Sequence, residues 1–236
     1  MARIKVALLI GTRALILIGI ALISLGGVGL ISKFYVIPAI SLSMLGHRVV
    51  LDAGHGGVDG GSSARGVLEK EITLDVVLRA EQYLYARGVN VQLTRDTDRD
   101  VSGLDRLRKG RHRKDLEERA KIINKGTVAA SIHVNSSSSG KEKGAVVFYP
   151  KGSEESKKLA LAVLNRLGEV QTLNHDFPVP RTNLFILRTA KVPAVLVELG
   201  FISNQEDRAR LNNPQFRQKL AEGIGKGIID YLETEN

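Results

Sequence analysis

Apolar and polar positions along this chain fall into blocks whose period changes from two to three or four and back. RVVLDAG (48–54) is a short apolar run ending in glycine and predicts a central strand. From Glu69 to Arg87 the apolar positions return at helical spacing, and Gly88 closes the segment as a C-cap. VNVQLTR (89–95) alternates and predicts a strand. Residues 96–112 are polar, glycine-containing and strongly basic, and read as a surface loop. Lys114–Lys125 follows as a helix with Leu116, Ala120 and Ile123 on one face, closed by Gly126. VAASIHVN (128–135), AVVFYP (145–150) and PAVLVELGF (193–201) predict three more strands, with a serine-rich loop after the first of them. Ser153 is placed to cap a helix running to about Leu167, with Leu159, Val163 and Leu167 stacked. Asn213-Pro214 opens a last helix on which Phe216, Leu220, Ile224 and Ile228 recur every fourth residue. No internal repeat is present. Strands alternating with helices predict an α/β domain.

The first block has a different character. Ala14–Ser32 is uncharged and mostly apolar without interruption, close to the ~20 residues that span a bilayer. Arg3, Lys5 and Arg13 precede it, which predicts an N-in, C-out signal anchor. No small-x-small cleavage site follows, so a cleaved signal peptide is the alternative. Residues 1–46 are therefore expected to be an anchor and tether, and residues 47–236 a single domain exported to the outer face of the membrane. About 190 residues suffice for one sizeable core.

Composition narrows the chemistry. The formal net charge is +9. With no basic helix pair, RNP box or zinc finger, nucleic acid is not expected as a partner; anionic lipids and wall polymers fit the charge better. The absence of tryptophan argues against a long carbohydrate groove lined by stacked indoles. The absence of cysteine removes thiol nucleophiles, thiolate metal sites and disulfides together. Any metal must be held by histidine and carboxylates, and only His47, His55, His112, His133 and His175 are available.

Two of these histidines stand where strands end. His55 follows VVLDAG between glycines, and His133 closes VAASIHVN. Glu198 sits near the end of PAVLVELGF, where a carboxylate is costly to bury unless paired, protonated or beside a metal. Taken singly, His55 reads as a turn residue and His133 as a partly buried, hydrogen-bonded histidine. Taken jointly, they lie at the carboxyl edge of an α/β sheet, where ligands bind. A site of three protein ligands with an open position needs one more carboxylate. Glu69 and Glu71, both at the start of the first helix, are the candidates; Glu69 is the better placed, and both also suit the helix dipole. Glu198 is then available as general base and acid. A serine triad is disfavoured because no G-x-S-x-G occurs.

These blocks, LDAGHGGVDGG, LEKEITL, SIHVN and VPAVLVELGFISN, resemble in order the zinc-dependent N-acetylmuramoyl-L-alanine amidases, over roughly Arg48 to Glu233. The resemblance implies an α/β fold with a central, mostly parallel sheet flanked by helices. It implies one zinc ion held by His55, Glu69 and His133, with Glu198 catalytic, and so selects Glu69 over Glu71. It implies hydrolysis of the amide between the lactyl group of N-acetylmuramic acid and L-alanine of the peptidoglycan stem peptide. The DGG after GHGG, the bare N-terminal anchor and the basic insert between Asp96 and Lys114 are most similar to the germination-specific, spore-cortex branch. In that branch the reaction is a step toward muramic-δ-lactam, a polysaccharide deacetylase acts afterwards and a lipoprotein assists in some organisms; the location would be the space between forespore and mother-cell membranes. A vegetative autolysin and a zinc carboxypeptidase acting on stem peptides are the alternatives. Ala53 and Ser62 depart from the usual Pro and Ala, and neither is expected to touch a ligand. His175 and Arg181, in a stretch that is harder to align, read as surface-loop residues.

Overall fold

A computed structural model describes residues 46–103 and 110–234. The expected anchor and tether lie outside the described residues, as does part of the basic 96–112 segment. Among the described residues no helix is long and apolar enough to cross a membrane.

The strands are β1 (Arg48–Ala53), β2 (Ser63–Ala64), β3 (Val67–Leu68), β4 (Asn90–Leu93), β5 (Val128–Asn135), β6 (Val146–Pro150), β7 (Val179–Arg181) and β8 (Ala194–Phe201). The helices are α1 (Glu69–Tyr85), α2 (Arg111–Ile123), α3 (Glu154–Gly168), α4 (Phe185–Thr189), α5 (Gln205–Leu211) and α6 (Pro214–Thr234). Six strands form one sheet in the order β4-β1-β5-β8-β6-β7. All neighbours are parallel except β6 and β8. The expected α/β fold with a mostly parallel central sheet is therefore present.

Strand alternation sends successive side chains to opposite faces. Val49, Leu51, Ala130, Ile132, Val195 and Val197 pack under α1, α3 and α6 in the larger core. Val50, Ala129, Phe148, Ala194 and Leu196 meet Ile123 of α2 and Ile186 and Leu187 of α4 on the other face. Both faces are covered, which is why these strands read as nearly continuous apolar runs.

The expected N-terminal caps are in place. Ser153 accepts a hydrogen bond from the Ser156 amide. Asn213 Oδ1 accepts from the Gln215 amide at 2.8 Å, ahead of Pro214. Other expectations need adjusting. Helices α1 and α2 are capped at Ala86 and Asn124, two residues ahead of the expected Gly88 and Gly126, where the cap amides bond back to Gln82 O and Ala120 O. Helix α2 begins at Arg111 rather than 114, because the Arg111 guanidinium pairs with Asp100 and draws the start of the helix onto the preceding loop. The short elements β2, β3, β7, α4 and α5 went unread, since two to seven residues are too few to display a period.

One buried polar network underlies the carboxyl end of β1. Asp52 accepts from Thr94 Oγ1 (2.7 Å), Ser131 Oγ (2.5 Å) and Arg119 Nη1 (2.7 Å). Burial alone would raise the Asp52 pKa, but Arg119 and the two hydroxyls outweigh it and hold the carboxyl below its ordinary value. A carboxyl depressed in the folded state contributes stability above its unfolded pKa of 3.8, and that contribution is lost as pH falls through the folded value. Asp52→Asn is therefore expected to cost about 3 kcal/mol at neutral pH, the lower end for breaking a buried pair because Asp115 still neutralises Arg119. Urea unfolding of the two proteins checks this, and the gap between them should close as pH drops below 3.8.

Candidate active site

Four segments converge at the carboxyl edge of the parallel strands. The turn after β1 carries His55, β5 carries His133, β8 carries Glu198, and the β2–β3 hairpin delivers Glu69 as the first residue of α1. Ligand atoms of His55, Glu69 and His133 lie within 4.8 Å of one another. Glu69 Oε1 is 3.1 Å from His55 Nε2 and 2.9 Å from His133 Nδ1. The two imidazoles meet edge to face with centroids 5.1 Å apart. Glu198 is the cross-strand neighbour of His133. Glu71, the competing glutamate, is exposed on the helix surface.

The Glu69 carboxylate is oriented by the main chain. Its Oε1 accepts from the Val134 amide at 3.0 Å and its Oε2 from the Ser62 amide at 2.7 Å. The Glu69 amide in turn donates to Ser62 O at 2.9 Å, so each residue holds the other. Ser62 does touch a ligand, contrary to the expectation, but through its main chain, which is indifferent to the Ser-for-Ala departure. Two glycines make room. A Cβ on Gly54 would come 2.5–2.8 Å from the His133 ring, and one on Gly61, whose φ is +67°, would strike Glu69 Oε2 and the His55 ring. Any side chain at either position would displace a member of the trio.

Asp59 supports His55 from behind, with Oδ2 3.1 Å from Nδ1. A carboxylate behind an imidazole fixes ring orientation and raises basicity. Burial would lower the His55 pKa, yet Asp59 and Glu69 carry it up to about 9. Burial would likewise raise Glu69, but hydrogen bonds from the two histidines hold it well below the ordinary carboxylate range. Asp59 is depressed chiefly by its contact with His55.

These shifts describe a pocket that asks for positive charge. Two carboxylates and two imidazoles converge. A divalent cation would satisfy this demand with both imidazoles neutral. A donor set of two nitrogens and one carboxylate oxygen without thiolate fits zinc with an open coordination position. The residues present therefore fit a metal ion.

Glu198 differs from the trio. Burial pushes its carboxyl up to about 7, with the Glu69 charge adding to the rise and His133 opposing it. Its Oε2 is buried and has no hydrogen-bond partner among the described residues. A carboxyl poised near neutrality, with a free oxygen beside the convergent ligands, suits taking up and returning one proton.

His175 and Arg181 are both exposed; His175 lies in a loop as expected, whereas Arg181 ends strand β7, paired with β6 at Pro150. Three residues around the site escaped the sequence reading. Asp59 and Arg119 act through contacts with residues distant in the chain, and Arg95 lies in a strand-end TR dipeptide that looked like an ordinary edge. The HGGVD spacing, which sets a carboxylate four residues beyond His55, was a usable signal for Asp59. Nothing local distinguished the two arginines.

Comparison with known proteins gives one consistent result. A family model described as N-acetylmuramoyl-L-alanine amidase matches residues 49–230. The chain is 34% identical over 200 residues to the germination-specific N-acetylmuramoyl-L-alanine amidase of Bacillus subtilis (strain 168), covering 81% of this chain and 82% of that one. The fold is similar to the CwlD amidase from Clostridioides difficile, solved in complex with the GerS lipoprotein, with a TM-score of 0.75 at 31% identity, covering 80% of this chain and 99% of that one. It is also similar to the catalytic domain of CwlV, an N-acetylmuramoyl-L-alanine amidase from Bacillus (Paenibacillus) polymyxa var. colistinus, with a TM-score of 0.68 at 31% identity, covering 79% and 98% respectively.

Proposed function

Because this chain belongs to the N-acetylmuramoyl-L-alanine amidase family, and its substrate is accordingly peptidoglycan, we propose that His55, Glu69 and His133 hold one zinc ion and that Glu198 is the general base and acid. The convergence of three ligand atoms within 4.8 Å carries this reading. When bound, zinc would polarise the scissile carbonyl and lower the pKa of the attacking water toward ~7. Glu198 takes a proton from that water as its oxygen bonds to the lactyl carbonyl carbon. It then passes the proton to the alanine nitrogen as the carbon–nitrogen bond breaks. The products are a free lactyl carboxylate on muramic acid and a stem peptide with a free amino end. Asp59 holds the His55 ring throughout, and the Val134 and Ser62 amides hold Glu69.

Mass spectrometry of digested, purified peptidoglycan tests the bond assignment. Intact stem peptides and free lactyl groups are expected. Release of single amino acids would instead identify a carboxypeptidase and overturn the assignment.

The biological setting follows from likeness to the germination-specific relative. We place the reaction in spore-cortex maturation, upstream of a polysaccharide deacetylase, rather than in vegetative autolysis. Muramic-δ-lactam should be present in spores carrying the gene and missing from spores lacking it; equal amounts in both would remove the cortex role. The similar CwlD amidase was solved with a lipoprotein, and a lipoprotein partner is proposed here on that basis. Residues 1–46 are proposed to tether the domain, residues 47–236, to the outer face of the membrane, from the uninterrupted apolar run at Ala14–Ser32 and its basic flank.

A further inference from the structure

The turn that carries His55 is under constraint. His55 itself adopts φ +60°, a left-handed conformation that a residue with a side chain seldom takes. Such a conformation persists where the surroundings over-determine it. Two buried guanidiniums do so here. Arg119 donates to Ala53 O (2.6 Å) and His55 O (2.5 Å), and Arg95 donates to Ala53 O (2.9 Å) and Gly54 O (2.9 Å). Three consecutive carbonyls at the end of β1 are thus gripped by two cations.

The two arginines are not equivalent. Arg119 is neutralised by Asp52 and Asp115 and belongs to the network beneath β1. Arg95 has no exposed surface and makes no ion pair among the described residues. Its remaining donors reach a second ligand-bearing segment. Nη2 also donates to Lys70 O at 2.9 Å, in the residue directly after Glu69, and to Thr73 Oγ1 at 3.2 Å, one turn further along α1. Nη1 donates to Thr97 O at 3.1 Å. Thr73 closes the loop by donating to Gly54 O at 2.9 Å. One planar fork therefore joins the backbone around His55 to the backbone around Glu69.

From this geometry we infer that Arg95 is a positioning residue of the metal centre: it is the brace that sets the separation of the His55 turn from the Glu69 helix. It touches neither ligand side chain and neither reacting group. Apart from Thr73, its hydrogen bonds are all to main-chain carbonyls, so it acts through the frame on which the ligands are mounted. A lysine cannot replace it, because a single ammonium lacks the rigid fork that reaches both segments at once. The inference rests on the proposed metal reading of the site and deepens it. It accounts for a buried guanidinium that makes no ion pair among the described residues.

The test measures metal affinity on the full chain, by zinc competition with a chromogenic chelator, together with the visible absorption of the cobalt(II)-substituted protein. Arg95→Lys is expected to weaken zinc binding roughly 10–100-fold, the range for losing an outer support of a ligand set, and to shift the cobalt bands. Thr73→Val removes the hydroxyl shared by Arg95 and Gly54 O and should weaken zinc in the same direction by a smaller factor. Arg79→Gln breaks an ion pair with Asp75 elsewhere on α1 and should leave zinc affinity at the wild-type value. Unchanged affinity in both Arg95→Lys and Thr73→Val overturns the brace, as does equal weakening in Arg79→Gln, which would reduce the effect to general loss of stability. If Arg95→Lys does not fold, Thr73→Val against Arg79→Gln decides alone. A wild-type chain that takes up no zinc overturns the metal reading together with the brace, whereas zinc uptake that ignores the Arg95 and Thr73 substitutions overturns the brace only.

Discussion

Glu198→Gln is expected to lower the hydrolysis rate by about 10²–10⁴-fold, the contribution of a positioned general acid–base group, with zinc content unchanged. The substitution keeps the shape of the side chain and removes its capacity to accept and return a proton. The fold should tolerate it well. Burial already pushes the Glu198 carboxyl up to about 7, and its Oε2 has no hydrogen bond to lose among the described residues. A neutral amide at this position relieves a desolvated charge rather than orphaning a partner. Steady-state rates on peptidoglycan and zinc content by elemental analysis are the two readouts. Unchanged activity would end the general-base assignment. Loss of zinc would move Glu198 into the ligand set.

His133→Ala should act on the metal instead. His133 Nδ1 stands 2.9 Å from Glu69 Oε1, and its ring fills the space that Gly54 leaves open. Its removal takes away one of three proposed ligands and leaves the Glu69 carboxylate with only His55 and two amides. Zinc affinity is expected to fall by more than about 100-fold, beyond what the loss of an outer-shell support costs, and activity with it. Dialysis followed by elemental analysis gives the stoichiometry. Retention of one zinc per chain by this variant would exclude His133 as a ligand. The pair of substitutions separates the two roles, since one is expected to spare the metal and the other to lose it.

Much of the frame is legible in the sequence. Long elements with a sustained period, such as α3 with Leu159, Val163 and Leu167 or α6 with Leu220, Ile224 and Ile228, announce the face they bury, because side-chain direction along a helix follows spacing alone. The strands carrying His133 and Glu198 were equally legible as apolar runs, since a strand covered on both faces has little room for polar residues. The short elements were not legible. The β2–β3 hairpin pairs only Ser63 with Leu68 and Ala64 with Val67, yet it steers Glu69 into the site.

The sequence by itself therefore determined the order of the long elements, a candidate set of His55, His133, Glu198 and either Glu69 or Glu71, and the chemistry open to a chain without cysteine. Residue type and local period are enough for that, and the family resemblance narrows the two glutamates to Glu69. Only the tertiary structure decided the relations between segments far apart in the chain. It sets Glu198 beside His133 through the β5–β8 register and mounts Glu69 on the Val134 and Ser62 amides. It also closes Arg95 and Arg119 around the turn that holds His55. Those contacts join residues with no shared period and no shared segment. The physical reason is that a buried donor takes whichever acceptor packing brings within about 3 Å, and sequence spacing does not encode that distance.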